Sequence, residues 1–127
     1  MKALTKAYLI DSSYNYNGST GKYLKLYTCP EGVESSMITL YISNLAIGNA
    51  TVSIGIKRNS TIIPFLKDKL VAAKEYLHIW GGYVVLVPGD EVIAYAASNS
   101  FSVIATFEEN AKVSLSTSGP EPVSVTV

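Results

Sequence analysis

The chain has 127 residues, the size of one domain, and it is long enough to bury a core without disulfide bonds. Hydrophobic residues make up 48% of the chain and charged residues 16%, with 10 basic side chains against 10 acidic ones. This balance excludes the basic patch of a nucleic-acid-binding protein, and no apolar run reaches the roughly 18 residues of a membrane span. The low charge content predicts that part of the surface contacts other protein chains, in an oligomer or an assembly.

Residues 1–22 are predicted to form an N-terminal arm and a loop. Polar residues interrupt the first apolar run and no small-residue cleavage site follows it, so we predict no secretory signal. Residues 6–10 predict an edge strand or an arm, and residues 11–21 predict a loop rich in Ser, Asn and Gly. The loop carries Tyr14 and Tyr16, for which two interpretations are open. They form an exposed recognition surface, or they fold back over the rim of the domain.

Alternation of apolar and polar residues predicts three strands in the first half of the chain, at residues 23–28, 37–43 and 51–58. Successive side chains of a strand point to opposite faces, so the alternation also predicts which side chains lie inside. The predicted inward set is Leu24, Leu26, Ile38, Leu40, Ile42, Val52, Ile54 and Ile56. The predicted outward set is Tyr23, Lys25, Tyr27, Met37, Thr39, Tyr41, Thr51, Ser53, Gly55 and Lys57.

The middle of the chain contains one clear turn and one ambiguous stretch. Asn59-Ser60 predicts a two-residue hairpin turn, and Pro64 confines the returning strand to a sheet edge or a bulge. Residues 67–80 have apolar side chains at helical spacing, but they also fit two strands, at 69–72 and 75–79. Helix propensity is a weak influence beside tertiary context, and the neighbouring segments are all extended, so the strands are favoured.

Residues 83–109 hold three apolar runs. A Gly81-Gly82 turn is predicted to precede the first run, and turns at 88–90 and 98–100 separate the three. The third run alternates strictly, with one strongly apolar face formed by Phe101, Val103, Ala105 and Phe107. Three runs at this spacing predict a meander of neighbouring strands, which needs a second sheet to cover it. The core positions predicted with most weight are Leu40, Ile54, Val103 and Phe107.

The C-terminal segment, residues 110–127, differs in character from the segments before it. A Gly-Pro-Glu-Pro break at 119–122 separates a predicted strand at 113–117 from a second one at 123–127. Two interpretations are open: the last strand pairs with a neighbouring subunit, or it is a frayed terminus. On the first interpretation, the contacting side chains alternate along the strand and are Val123, Val125 and Val127.

No constellation of residues for chemistry can be assembled from the sequence. His78 is the only histidine and Cys29 the only cysteine, so neither a histidine-rich metal site nor a disulfide within one chain can form. The acidic doublets Asp90-Glu91 and Glu108-Glu109 are sequence neighbours, whose side chains point to opposite faces of a strand. We therefore predict a protein that is not an enzyme, with no catalytic residues, no metal and no cofactor.

The order of these features resembles small β-sandwich virion proteins of tailed bacteriophages, a broad class that includes capsid decoration (cement) proteins and small tail or baseplate proteins. The resemblance covers residues 23–109 and is most specific over residues 86–97. Its pieces, in chain order, are the Cys29-Pro30-Glu31-Gly32 turn, the strand and loop at 38–44, the hairpin at 52–63, the strand at 75–79, the run at 84–98 and the closing strand at 101–107.

The sequence therefore predicts an all-β protein, a single jelly-roll-like β-sandwich of about eight antiparallel strands over residues 23–109, with an extension at 110–127. The resemblance implies a virion structural protein made in the host cytoplasm, foremost a capsid decoration protein. A tail, neck or baseplate component is the first alternative, and a carbohydrate-binding adhesin module is the second. The implied partners are a major capsid or tail protein and further copies of the chain, with a trimer among the oligomers considered.

Overall fold

The structure, a computed structural model, describes residues 2–96 and 100–111. These residues form eight β-strands and contain no helix. The strands are β1 (Lys2–Ile10), β2 (Leu24–Thr28), β3 (Val33–Asn44), β4 (Ala50–Arg58), β5 (Thr61–Val71), β6 (Tyr76–Leu86), β7 (Glu91–Tyr95) and β8 (Phe101–Ala111). The prediction of an all-β protein with about eight strands is confirmed.

The strands form two four-stranded antiparallel sheets that pack against each other as a β-sandwich. Sheet A has the order β1-β8-β3-β6, and sheet B has the order β2-β7-β4-β5. The pairing is nested: β1 pairs with β8, β2 with β7, β3 with β6, and β4 with β5. The chain is thus a long hairpin folded over onto itself, and the finer prediction of a jelly roll remains an interpretation of this order.

The core lies between the two sheets and is built from their inward-facing side chains. The four core positions predicted from the sequence, Leu40, Ile54, Val103 and Phe107, are each fully buried, so that prediction is confirmed. Burying a side chain of this size contributes about 1.5–3 kcal/mol. The other large side chains of this core with less than 2% exposure are Ile10, Leu26, Met37, Ile42, Val52, Leu86, Val92 and Phe101.

Two local predictions in the middle of the chain are confirmed. Asn59 and Ser60 connect β4 to β5 with φ of 52° and 68°, the left-handed pair that a type I′ hairpin turn requires. The ambiguous stretch at 67–80 is extended: β5 continues to Val71, a turn closed by the Glu75 amide on the Ala72 carbonyl follows, and β6 begins. The helical alternative is wrong, because the first half of this stretch pairs with β4 in sheet B and the second half pairs with β3 in sheet A.

Several predicted side-chain directions are wrong, and β-bulges are the reason. The register shifts between Lys25 and Tyr27, so that Leu26 and Tyr27 are both buried, although Tyr27 was predicted to face outward. A shift after Met37 likewise buries that residue instead of Ile38, which is half-buried. Each bulge adds one residue to one strand, which reverses the alternation beyond it.

The predicted meander of residues 83–109 is also wrong. β6 and β8 lie on either side of β3 in sheet A, whereas β7 lies in sheet B. The predicted Gly81-Gly82 turn is wrong as well, because β6 runs continuously from Tyr76 to Leu86. A register shift in the β3–β6 ladder, between the Met37–Val84 and Thr39–Trp80 pairs, takes up the extra residues there.

The predicted boundary at residues 22 and 23 does not separate an arm from the sandwich. β1 pairs with β8 along all nine of its residues and forms one edge of sheet A, and Ile10 at its end is fully buried. The edge-strand interpretation of residues 6–10 is therefore the correct one. The strands predicted at 113–117 and 123–127, with Val123, Val125 and Val127, lie outside the described residues.

Candidate interaction surfaces

The loop of residues 11–21 folds back onto the outer face of sheet B. The Tyr16 amide donates to the Lys22 carbonyl at 2.9 Å, and the Asn17 amide donates to the Thr20 carbonyl at 3.1 Å, which closes the loop on itself. The Ala96 amide donates to the Tyr14 carbonyl at 2.9 Å and ties the loop to the end of β7. These bonds fix the loop by its backbone, and of its side chains only those of Tyr14 and Tyr16 are partly buried.

The two tyrosines of this loop have different surroundings. Tyr14 is half-buried and packs against the hydrophobic core. The ring of Tyr16 meets the ring of Tyr95 edge to face at 5.1 Å between centroids, and it meets Tyr23 in the same way at 5.6 Å. Such T-shaped pairs contribute about 0.5–1.5 kcal/mol beyond their buried area. Tyr14 thus packs against the core at the rim of the sandwich, whereas Tyr16 lies on the outer face of sheet B.

A pocket of about 230 Å³ opens beside Tyr16, between the loop and the outer face of sheet B. Its lining combines tyrosine rings with hydroxyl, amide, ammonium and carboxylate groups. The lining residues are Asn15, Tyr16, Asn17, Thr51, Ser53, Lys67, Asp68, Tyr95 and Ala96. Of these, only Tyr16 was singled out from the sequence.

A β-bulge on the edge strand β5 directs two charged residues toward this pocket. In the β4–β5 ladder Val52 pairs with Lys69 and Ile54 pairs with Leu66, so Ser53 alone stands opposite both Lys67 and Asp68. The Asp68 amide donates to the Ser53 Oγ at 2.9 Å, which fixes the bulge to the neighbouring strand. Asp68 has φ of 47°, an uncommon value for a residue other than glycine, although aspartate tolerates it better than most.

The outer face of sheet A has the opposite character, because its centre carries no formal charge. Directly paired residues of an antiparallel sheet point to the same side, so the register defines three rows across the sheet. Leu9 and Tyr76, at the two ends of one row, are 66% and 67% exposed. We call this the neutral face; its described residues are Thr5, Ala7, Leu9, Thr39, Tyr41, Ser43, Tyr76, His78, Ser102, Ile104 and Thr106.

Aromatic and apolar side chains occupy the middle of the neutral face. Tyr41 and His78 are a directly paired couple whose rings stack at 3.9 Å with 7° between their planes. Ile104, the partner of Tyr41 on β8, is 43% exposed. Ile104 stands at an outward position of a strictly alternating strand, and this alternation is the sequence signal that indicates its exposure.

One edge of sheet A also lacks the features that usually protect an edge. β6 is an edge strand of 11 residues without a single lysine, arginine, acidic residue or proline. By contrast the edge strand β5 carries Pro64, Lys67, Asp68 and Lys69. Charges and prolines on an edge discourage the addition of another strand, so β6 is the more open of these two edges.

An ion pair between the partly exposed Arg58 and the buried Asp90 fastens the turn between β6 and β7 to the end of β4. Asp90 is 2% exposed, and its Oδ1 accepts from the Arg58 Nε at 2.9 Å while its Oδ2 accepts from Arg58 and from the Val87 amide. The hydrogen bonds from Arg58, the largest cause, hold the pKa of Asp90 below its usual range. This carboxylate is structural, because both of its oxygens accept hydrogen bonds from neighbours inside the chain.

A second polar cluster lies at the rim, where β2, β3 and β8 meet. The Tyr27 hydroxyl lies 2.6 Å from the Ser35 Oγ and donates to the Glu109 carboxylate, and the Tyr27 ring stacks on Phe107 at 4.1 Å. Burial, with help from Glu109, raises the pKa of Tyr27 well above its ordinary value. Cys29 lies beside them with its Sγ 3.4 Å from the Ser35 Oγ, and it is 2% exposed, so its thiol is inaccessible to a substrate.

Among residues 2–96 and 100–111, no three or more His, Cys, Asp or Glu side chains are grouped so as to hold a metal ion. The described part of the chain also has no helix that is long and apolar enough to cross a membrane. No protein-family model matches the sequence, and no curated protein is significantly similar to it.

Proposed function

We propose that this protein is a non-enzymatic structural subunit that works through protein–protein contacts, and that the particle it belongs to is a phage virion. Capsid decoration is the role we favour, with a tail, neck or baseplate position as the alternative. The observation that carries the proposal is the neutral face of sheet A. A contiguous sheet surface with exposed leucine, isoleucine and tyrosine side chains and no formal charge is typical of a contact surface rather than of a solvated one.

The neutral face suits contact with a second copy of the same chain. A two-fold contact places the same patch on both sides, so any charge in the patch would oppose its own copy. The centre of the neutral face avoids this repulsion, and the tyrosines supply the rigid amphipathic area that is enriched in interface centres. Acidic residues, Glu34 and Glu108, stand toward one end of the sheet, where they would form part of a polar rim.

The unprotected edge of β6 suits strand addition, and the C-terminal segment of a neighbouring copy is the occupant we propose. β8 ends at Ala111, and the register Glu109–Ser35–Leu86 places this end level with the end of β6 in the same chain, with β3 between them and about 10 Å separating them. The alternating Val123-Ser124-Val125-Thr126-Val127 sequence would supply backbone donors and acceptors to that edge.

Ile104→Lys is expected to weaken self-association about tenfold or more, because the new ammonium would be buried opposite its own copy at the centre of the contact. Ile104 is exposed in the single chain, so the variant should fold with a stability within about 0.5 kcal/mol of the parent. Sedimentation velocity over a range of concentrations measures the association. The matched control is Ile47→Lys, which adds the same charge at a loop position that is 89% exposed and off the face. Equal association of both variants and the parent would rule out the neutral face.

A chain ending at Ala111 is expected to keep its fold and to associate less. All eight strands lie within residues 2–111, so circular dichroism and the melting temperature should match those of the full chain. Losing the proposed added strand removes backbone hydrogen bonds between copies and should shift the sedimentation boundary toward the single chain. An unchanged boundary would show that residues 112–127 take no part in the contact.

A further inference from the structure

The pocket beside Tyr16 is built on the outer face of sheet B and is therefore separate from the neutral face of sheet A. Tyr95 and Ser53, which line it, are a directly paired couple on the side of sheet B that faces away from the core. Its volume of about 230 Å³ is below the roughly 300–1,000 Å³ of pockets for drug-sized ligands. The space suits one small ring rather than an extended cofactor.

The polar groups of the pocket offer donors and acceptors side by side. Lys67 Nζ lies 3.9 Å from Asp68 Oδ2, which places an ammonium next to a carboxylate in the lining of the pocket, with both side chains more than half exposed. Two neighbouring hydroxyl groups of a ligand can use this pair, one as acceptor from the ammonium and one as donor to the carboxylate. Asn17 Oδ1 already accepts from the Ser19 and Thr20 amides, so its NH₂ group is the part of that side chain that remains to donate.

The lining side chains of the pocket have no net charge, and this absence of net charge indicates the class of ligand. Lys67 and Asp68 neutralise each other, and the remaining lining side chains are uncharged. An anion such as phosphate would meet the Asp68 carboxylate, and a cation would meet Lys67. The pocket therefore favours a neutral molecule that is rich in hydroxyl groups.

The tyrosine rings supply the apolar part of such a site. Tyr16 stands edge to face against Tyr95, and Lys67 Nζ lies 5.9 Å from the centroid of the Tyr95 ring. Aromatic side chains provide a flat apolar surface beside fixed polar groups, the combination that orients small ligands in concave sites. The C–H face of a pyranose ring is a ligand surface of this kind.

We propose that the pocket binds a neutral hexopyranose unit, with Asp68 and Lys67 holding adjacent hydroxyl groups and Tyr16 against the ring. The backbone supports this assignment. Asp68 is held at φ of 47° by the bulge and by the Ser53 hydrogen bond, and bulges next to binding sites commonly serve to redirect a side chain. A sugar site on sheet B would add recognition of a glycan to a subunit whose protein contacts lie on sheet A.

The test uses the full chain labelled with ¹⁵N and follows its amide resonances during titration with D-glucose, D-galactose and D-mannose, each to millimolar concentration. The expected result is a saturable shift of amides around the pocket with at least one of the three. Asp68→Asn should reduce that affinity about tenfold or more, because the amide replaces a charged acceptor by a weaker one. Asparagine tolerates positive φ, so this variant keeps the bulge. Lys69→Gln, on the same strand but outside the lining, is the matched control and should bind like the parent.

Three results would overturn the proposal. One is that none of the three hexoses moves the pocket resonances of the folded parent. A second is that Asp68→Asn and Lys69→Gln bind equally well. The third is that inorganic phosphate or D-glucose 6-phosphate shifts the same amides at lower concentration than the neutral sugars, which would assign an anion site. None of these results bears on self-association through sheet A, so the two proposals stand or fall separately.

Discussion

Replacing Phe107 with alanine is expected to lower the free energy of unfolding by about 3–5 kcal/mol. Phe107 is fully buried on β8, the central strand between β1 and β3, and its ring stacks on Tyr27 at 4.1 Å between centroids. Truncation loses the free energy that is gained when the ring is transferred from water into the core. It also leaves a cavity, because the three paired strands β1, β8 and β3 of sheet A cannot shift to fill it. Urea unfolding followed by circular dichroism gives the difference directly.

Phe65→Ala is the matched control for this measurement. Phe65 lies on the edge strand β5 and is 38% exposed, so the same truncation there should cost about 1 kcal/mol or less. A loss of about 1 kcal/mol or less for Phe107→Ala, no larger than that of the control, would mean that Phe107 does not lie in the core and that the inward face of β8 is wrongly assigned.

Asp90→Asn is expected to cost about 1–3 kcal/mol at neutral pH. Both oxygens of Asp90 accept from N–H donors, of Arg58 and of Val87. An amide of the same shape keeps one acceptor oxygen, but it must place an NH₂ group against one of those donors. The variant also loses the buried negative charge that pairs with Arg58, whose own side chain is 44% exposed. Chemical unfolding at pH 7 measures the loss.

The same variant should change how stability depends on pH. The folded chain lowers the pKa of Asp90, so its contribution is fully present above the unfolded value of about 3.9 and is lost as the pH falls through the folded value. The parent should therefore lose stability below about pH 4 more steeply than Asp90→Asn, and the gap between them should narrow in acid. Parallel curves for the two proteins down to pH 2 would show that Asp90 titrates in the folded chain as it does in the unfolded one.

Much of the fold could be predicted from local patterns. The strict alternation of residues 101–107 identified four buried side chains of β8, and the Asn59-Ser60 pair identified a hairpin turn. Both features depend on neighbours in sequence, whose chemistry can be interpreted without the partner strand. The extended state of residues 67–80 is predicted only from the extended segments on either side. Its physical reason is the pairing of β5 with β4 and of β6 with β3.

The order of strands could not be predicted in the same way. Residues 83–109 were expected to form neighbouring strands, because short connections usually join neighbours in a sheet. In the nested arrangement the chain crosses between sheets after most strands, so sequence neighbours lie in different layers. Bulges caused the remaining errors: nothing in the local pattern indicates that Tyr27 and Met37 turn inward, since the shift depends on the register with the partner strand.

The candidate sites were only partly visible for the same reason. Tyr16 was recognisable because exposed tyrosine in a Ser/Asn/Gly loop is typical of recognition surfaces. Its neighbours Lys67 and Asp68 come from a distant strand, and a bulge brings both opposite Ser53. The neutral face could have been anticipated in part, since Tyr41 and Ile104 stand at outward positions of alternating strands. Their adjacency across β3 and β8 required the register.

Site-specific photo-crosslinking from Tyr41 tests most directly whether the neutral face joins copies of this chain. Tyr41 is 41% exposed at the centre of that face, and p-benzoylphenylalanine in its place is an aromatic side chain that reacts only with what touches it. Irradiation of the associated protein, with mass spectrometry of the joined peptides, is predicted to give covalent dimers linked to outward residues of β1, β3, β6 or β8 of a second copy. The same probe at Ile47 should give no link to those residues. A Tyr41 probe that joins no second copy, or that joins it only through sheet B, would contradict the proposed assembly surface.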